Sequence, residues 1–146
     1  MIMENYVLVD VEKMIQYLAR QPDIVCAYLF GSLAKGTVGP RSDVDVAVLL
    51  RDGLSREEMF EQRLQLLVDL GGFSTRKVDV VILNTAPLLL QQQALKHGRL
   101  IYERDPLARI HFEVRTRKLY FDLRPLRDFY RQALFREIKE SSPTIC

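Results

Sequence analysis

Apolar positions along this chain recur in two rhythms, a helical spacing and a continuous or alternating one, and their order predicts alternating helices and strands. Val11, Met14, Ile15 and Leu18 stand at helical spacing and predict a helix over 9–20, stopped by Pro22 before an unbroken apolar strand at 24–30. The turn Gly31-Ser32-Leu33-Ala34-Lys35-Gly36 opens a short helix, and a second strand follows at 42–50. Ser55 with Glu58 three places later reads as a capping box for a helix over 55–70, which Gly71-Gly72 ends. A short apolar strand at 77–83, a Leu- and Gln-rich helix at 86–96 stopped by His97-Gly98, and a strand at 99–103 complete the core. Asp105-Pro106 then starts a long helical tail, which Pro125 kinks or breaks near its middle. The acid-bearing strands stand too close together for a purely doubly wound fold. The pattern therefore predicts an α+β fold with a mixed β-sheet flanked by helices.

A length of 146 residues with 48% hydrophobic composition suits one domain with a real core. The expected division is a single domain over 1–140, of which 105–140 is the helical tail, and a frayed end at 141–146. A formal charge of +2 gives no electrostatic argument for direct nucleic-acid binding. No apolar run approaches the roughly 20 residues that span a bilayer, and the first residues lack a basic stretch leading into an apolar one, so no membrane association and a cytoplasmic location are expected. Cys26 reads as a small core side chain, and Cys146 at the far end makes neither a metal spacing nor a disulfide framework with it.

The chemistry lies in the spaced acids. Asp43 and Asp45 alternate onto one face of their strand, and Asp79 interrupts the apolar strand at 77–83, where a carboxylate is costly unless it meets a cation. This predicts that the two strands are neighbours. Acids side by side repel, and a hard divalent cation, magnesium or manganese, relieves that repulsion. Gly31 lets the backbone approach an anion, amides at the helix start point toward it, and the Ser32 hydroxyl adds a donor. Two metal ions roughly 3.5–4 Å apart, held by three carboxylates and a triphosphate, describe nucleotidyl transfer. Ser42 either orients the first carboxylate or serves the turn. Lys35, Arg41, Arg76 and Lys77 flank these segments; the expectation is that they are solvated, and the alternative is that they contact phosphates. A Gly-Ser pair or an S-D-x-D strand alone is ordinary turn or edge material, and only the combination carries the reading.

Gly31-Ser32, a gap of ten residues and Asp43-x-Asp45 match the signature of the polymerase-β-like nucleotidyltransferases, and with Asp79 and the tail the chain resembles their minimal nucleotidyltransferase family. The resemblance implies the polymerase-β-like core and a magnesium-dependent enzyme using ATP. In that likeness Asp43, Asp45 and Asp79 are catalytic residues and metal ligands, and Gly31, Ser32 and Ser42 lie at the nucleotide. Many such proteins are antitoxins that neutralise a HEPN-domain ribonuclease toxin by transferring AMP to one of its tyrosines. The alternatives are a nucleotidyltransferase for a small-molecule or RNA acceptor and a non-enzymatic antitoxin acting by occlusion. Arg115, Arg117, Lys118, Arg124, Arg127, Arg131 and Arg136 share the tail with Phe112, Tyr120, Phe121, Leu126, Phe129, Tyr130 and Leu134. The expectation there is an apolar stripe packed on the sheet beneath a solvated basic face; the alternative is a partner-docking surface built around Arg127 and Arg131.

Overall fold

Unbroken apolar runs at 24–30 and 44–50 require a sheet covered on both faces, and the structure supplies that cover. A computed structural model describes residues 9–30 and 44–141. In chain order the elements are α1 (Val11–Ala19), β1 (Ile24–Phe30), β2 (Val44–Leu50), α2 (Arg56–Gly71), β3 (Val78–Ile82), α3 (Leu88–His97), β4 (Arg99–Glu103), α4 (Pro106–Asp122) and α5 (Arg124–Ser141). The strands lie in the order β3-β2-β1-β4. β1 runs antiparallel to both β2 and β4, whereas β2 and β3 pair in parallel across the α2 crossover. The predicted mixed sheet is thus present.

Alternation sorts the strand residues onto two cores. Ala27, Leu29, Val44, Val46, Val48, Val78 and Val80 pack with Met14 and Leu18 of α1 and with Leu66 and Leu70 of α2. On the opposite face Val25, Tyr28, Ala47 and Leu49 pack with Ala94 and Leu95 of α3 and Phe112 of α4. The helices begin where their caps dictate. Asp10, Ser55 and Asp105 each accept a hydrogen bond from a backbone N–H of the first turn, and the Ser55–Glu58 capping box is reciprocal. Gly71 continues α2 rather than ending it, and Gly72 is the cap. Gly98 ends α3 under tighter constraint: a Cβ there would stand 2.2 Å from the Ala94 carbonyl oxygen, so the chain can enter β4 at this point only through glycine.

A chain of polar side chains ties α4 to the sheet. The Tyr28 hydroxyl donates to Glu113 Oε1 at 2.6 Å, Arg109 Nη1 meets the same oxygen at 3.0 Å, and Arg109 Nε donates to Glu103 of β4. Burial, aided by the Glu113 contact, raises the Tyr28 pKa well above the ordinary phenol value. Burial likewise pushes the neighbouring Cys26 thiol up to about 12, so this cysteine is the inert core side chain that its strand position predicts. Between α1 and α2 the Tyr17 hydroxyl donates to Asp69, which also accepts from Gln65 Nε2 at 2.9 Å. Burial and that contact raise Tyr17, and the same hydroxyl holds Asp69 below the usual carboxylate range.

The tail departs from expectation. It breaks at Leu123, beside Pro125, as the proline predicts. Only its first half covers the sheet, through Phe112 and Thr116 of α4. None of residues 124–137 is buried, so α5 is not the stripe packed on the sheet that its amphipathic pattern suggests. The break redirects the chain past the rim.

Tyr17 and Tyr28 give this fold an alkaline limit. In the unfolded chain both phenols ionise near pH 10; in the folded chain both resist ionisation. Their contribution is therefore complete below about pH 10 and is lost as pH rises through the folded pKa values. The melting temperature is expected to fall across this range in wild type and to fall less steeply in Tyr28→Phe. Equal slopes in the two proteins would contradict this assignment.

Candidate active site

Backbone register, rather than any loop, brings the acids together. Asp45 of β2 and Asp79 of β3 are direct Cα partners in the parallel pair, flanked by Val44–Val78 and Val46–Val80. The flanking valines point to the α1/α2 core, so both carboxylates fall on the opposite face, at the start of their strands. Adjacent strands stand about 4.8 Å apart, which makes this a pair of like charges in close apposition. Both aspartates are partly exposed at the sheet's end. The predicted neighbour relation between the Asp45 and Asp79 strands is what the structure has.

The same end of the sheet receives β1. Phe30, its last residue, pairs with Asp45, and Leu29 pairs with Arg99 of β4. The strand ends that flank residues 31–43 are therefore side by side, and Val44 N donates to Lys77 O at 2.8 Å to close the β2–β3 end. Gly31, Ser32, Ser42 and Asp43, together with Lys35 and Arg41, lie outside the described residues. Arg76 is turned inward, with its Nε buried.

One site residue escaped the sequence reading. Arg63 of α2 donates from Nε to the Val80 carbonyl at 2.7 Å and from Nη2 to Asp79 Oδ1 at 3.2 Å. Val80 N also donates to Asp79 Oδ1, at 2.9 Å. β3 is an edge strand, and side chains, not another strand, take both backbone groups of Val80. A signal was present in the sequence: Met59, Leu66 and Leu70 form the inward stripe of α2, and Arg63 occupies a position on that stripe where an apolar residue belongs.

The donor set suits a hard cation. Asp45 and Asp79 offer carboxylate oxygens on one face of a partly solvated rim, the chemistry that magnesium and manganese prefer. Among the described residues no three His, Cys, Asp or Glu side chains converge as a metal cage, so these two acids are the described share of any such site. His97 and His111 take no part in it.

Known proteins resemble this chain across its core. The family pattern described as "Polymerase beta, Nucleotidyltransferase" matches residues 12–107, a span that takes in both aspartates and stops at the start of α4. Protein adenylyltransferase MntA of Shewanella oneidensis is 35% identical over 83 residues, which cover 56% of this chain and 55% of that protein. The chain thus spans about half the length of this curated relative. A crystal structure of a toxin–antitoxin with AMP-PNP contains a chain 30% identical with a TM-score of 0.66, covering 90% of this chain and 99% of that one. A structure of a tri-AMPylated HEPN toxin of Shewanella oneidensis in complex with an MNT antitoxin gives 28% identity and a TM-score of 0.62, covering 88% of this chain and 96% of the other.

The apposed charges predict a response to divalent cations. Millimolar magnesium is expected to raise the wild-type melting temperature, because a ligand bound only by the folded chain stabilises it. Asp45→Asn, which removes one of two facing charges, is expected to lose most of the magnesium shift. Asp79→Asn should also lose the shift, and it releases Arg63 from its ion pair. Magnesium shifts of wild-type size in both variants would remove these residues from the site.

Proposed function

Because the chain belongs to the polymerase-β nucleotidyltransferase family, we propose that it is an antitoxin acting as a protein adenylyltransferase, which moves AMP from ATP onto a tyrosine of a HEPN-domain ribonuclease toxin. The observation that carries this reading is the register pairing of Asp45 with Asp79 at the sheet end that β1 reaches through Phe30. The likeness to the MntA adenylyltransferase and to toxin-bound antitoxins supports the choice of acceptor.

Asp43, Asp45 and Asp79 would hold magnesium, for which manganese could substitute, and Gly31, Ser32 and Ser42 would contact the triphosphate. When bound, the metal supplies electrostatic stabilisation of the phosphate oxygens. The chain's own part is to seat ATP so that a tyrosine oxygen can approach the α-phosphorus opposite the pyrophosphate. A phenol O–P bond forms, the bond from the α-phosphorus to the bridging oxygen breaks, and pyrophosphate leaves. The phenolic proton passes to the Asp79 carboxylate, which stands at the solvent-accessible rim. The added phosphate brings negative charge and bulk to the toxin, and beside a ribonuclease cleft it repels RNA.

A protein acceptor needs a landing surface, and the tail offers one. On α5, Leu126, Phe129, Tyr130 and Leu134 are 50–64% exposed, and Leu119 and Phe121 of α4 continue the apolar area. Exposed apolar patches of this kind mark interaction surfaces on small proteins. Arg127, which the docking alternative names beside Arg131, is already engaged within the tail. Its guanidinium lies 3.6 Å over the Tyr120 ring, and Nη2 donates to the Tyr120 carbonyl at 2.8 Å, so it pins the α4–α5 break. Arg131 is exposed and keeps its place among the docking residues. The same surface would serve an antitoxin that only occludes its partner, and among the described residues no helix is long and apolar enough to cross a membrane.

Mass spectrometry of the co-expressed pair tests the chemistry. The toxin is expected to carry added AMP on tyrosine, and Asp45→Asn in the antitoxin should abolish the addition; an inactive toxin without added AMP would establish occlusion instead. Docking is tested separately by Leu134→Glu combined with Arg131→Glu. This variant should lose retention of the toxin and slow its modification, while keeping the wild-type melting temperature and MgATP-induced shift, because both positions are solvent-facing. Unimpaired capture of the toxin would place the interface elsewhere.

A further inference from the structure

Among the described residues at this end of the sheet, Arg63 has a geometry that packing does not explain. It comes from α2, whose inward stripe belongs to the core on one face of the sheet, and reaches a carboxylate on the other. It does so around the free edge of β3, gripping the Val80 carbonyl on the way. The two hydrogen bonds fix the guanidinium at two points, which a planar fork can satisfy and a point charge cannot. Both donors aimed at Asp79, from Arg63 and from Val80 N, fall on the same oxygen, Oδ1. Oδ2 takes neither.

From this geometry we infer that Arg63 is a positioning residue for Asp79: by clamping Oδ1 at the edge of β3 it fixes the carboxylate in one orientation and presents Oδ2 to metal and acceptor. The inference rests on the reading of Asp79 as a site residue. Stability does not account for the contact. The side chains of Arg63 and Asp79 are 36% and 47% exposed, and ion pairs so placed contribute little to folding. What the contact can do is remove rotational freedom from a carboxylate whose aim matters to the reaction.

Three variants and two measurements decide the matter. The first measurement is the crystal structure of the whole chain carrying Arg63→Met, compared with wild type. The Asp79 carboxylate is expected to leave its single orientation and to appear in more than one rotamer. If it keeps Oδ1 on Val80 N unchanged, the inference is overturned, whatever the activity. The second is steady-state transfer of AMP to the co-expressed toxin. Arg63→Met should lower kcat by about ten- to a hundredfold, as expected when a reacting group is misplaced by a fraction of an ångström to an ångström. The KM for ATP should move by no more than about twofold, since uniform binding is untouched. Arg63→Lys, which restores charge without the double grip, should recover part of kcat. A wild-type kcat in Arg63→Met beside an inactive Asp79→Asn would also overturn the inference. Failure of the wild type to transfer AMP would instead refute the proposed function, and the crystallographic comparison would still decide the role of Arg63.

Discussion

Two carboxylates held in register on neighbouring parallel strands are the constraint around which this fold is arranged. At about 5 Å, like unit charges repel by about 1 kcal/mol in water and by about 3 kcal/mol at an effective dielectric of 20, so the pair belongs only at a wet rim or beside cations. The chain uses both means. Asp45 and Asp79 lie at the strand starts, where solvent reaches them, and Arg63 brings a positive charge around the edge of β3. Register itself is enforced by apolar partners. Val44–Val78, Val46–Val80 and Val48–Ile82 share the α1/α2 face, and a slip of one residue in either strand would turn its half of these pairs away from that core onto the opposite face. The hydrophobic effect thus holds together charges that electrostatics alone would separate.

Much of this was legible in the sequence because strong local codes agreed with the tertiary fold. The Ser55–Glu58 cap, the strand at 99–103 and the break near Pro125 each follow from chemistry within a few residues. The adjacency of the Asp45 and Asp79 strands was legible for a different reason: an acid on an apolar strand asks for a cation, and the other acids marked where one would be held. Arg63 was harder. Its meaning depends on α2 lying along the free edge of β3, which no local pattern states, although a cation on the inward stripe was a visible anomaly. The reading of α5 failed because an amphipathic pattern says that a helix has an apolar face, not what covers it. Gly31, Ser32, Ser42 and Asp43 lie outside the described residues, so of the predicted acids the structure speaks for Asp45 and Asp79.

The network that joins Tyr28, Glu113, Arg109 and Glu103 does for α4 what apolar packing does for β2 and β3. Glu113 accepts from Tyr28 and Arg109, and burial makes each of these groups depend on the others being in place. Such a network adds less net stability than its number of contacts suggests, because desolvation offsets the attraction. It defines orientation instead. A helix held by directional bonds to two adjacent strands has one way to lie across the sheet, and the direction in which the chain leaves Leu123 follows from it.

That exit leaves α5 with a freedom that the rest of the chain lacks. Since none of residues 124–137 is buried, substitutions along most of this helix remove no core contact, and the usual penalty for exchanging a large apolar residue does not arise. The buried core lies in the sheet and its four covering helices, and residues 124–137 add no buried side chain to it. Divergence can therefore proceed at different rates in one short polypeptide. Drift or selection can rewrite the outer helix over generations without bringing the chain nearer to its unfolding threshold, while the acid-bearing strands stay under the veto of the core.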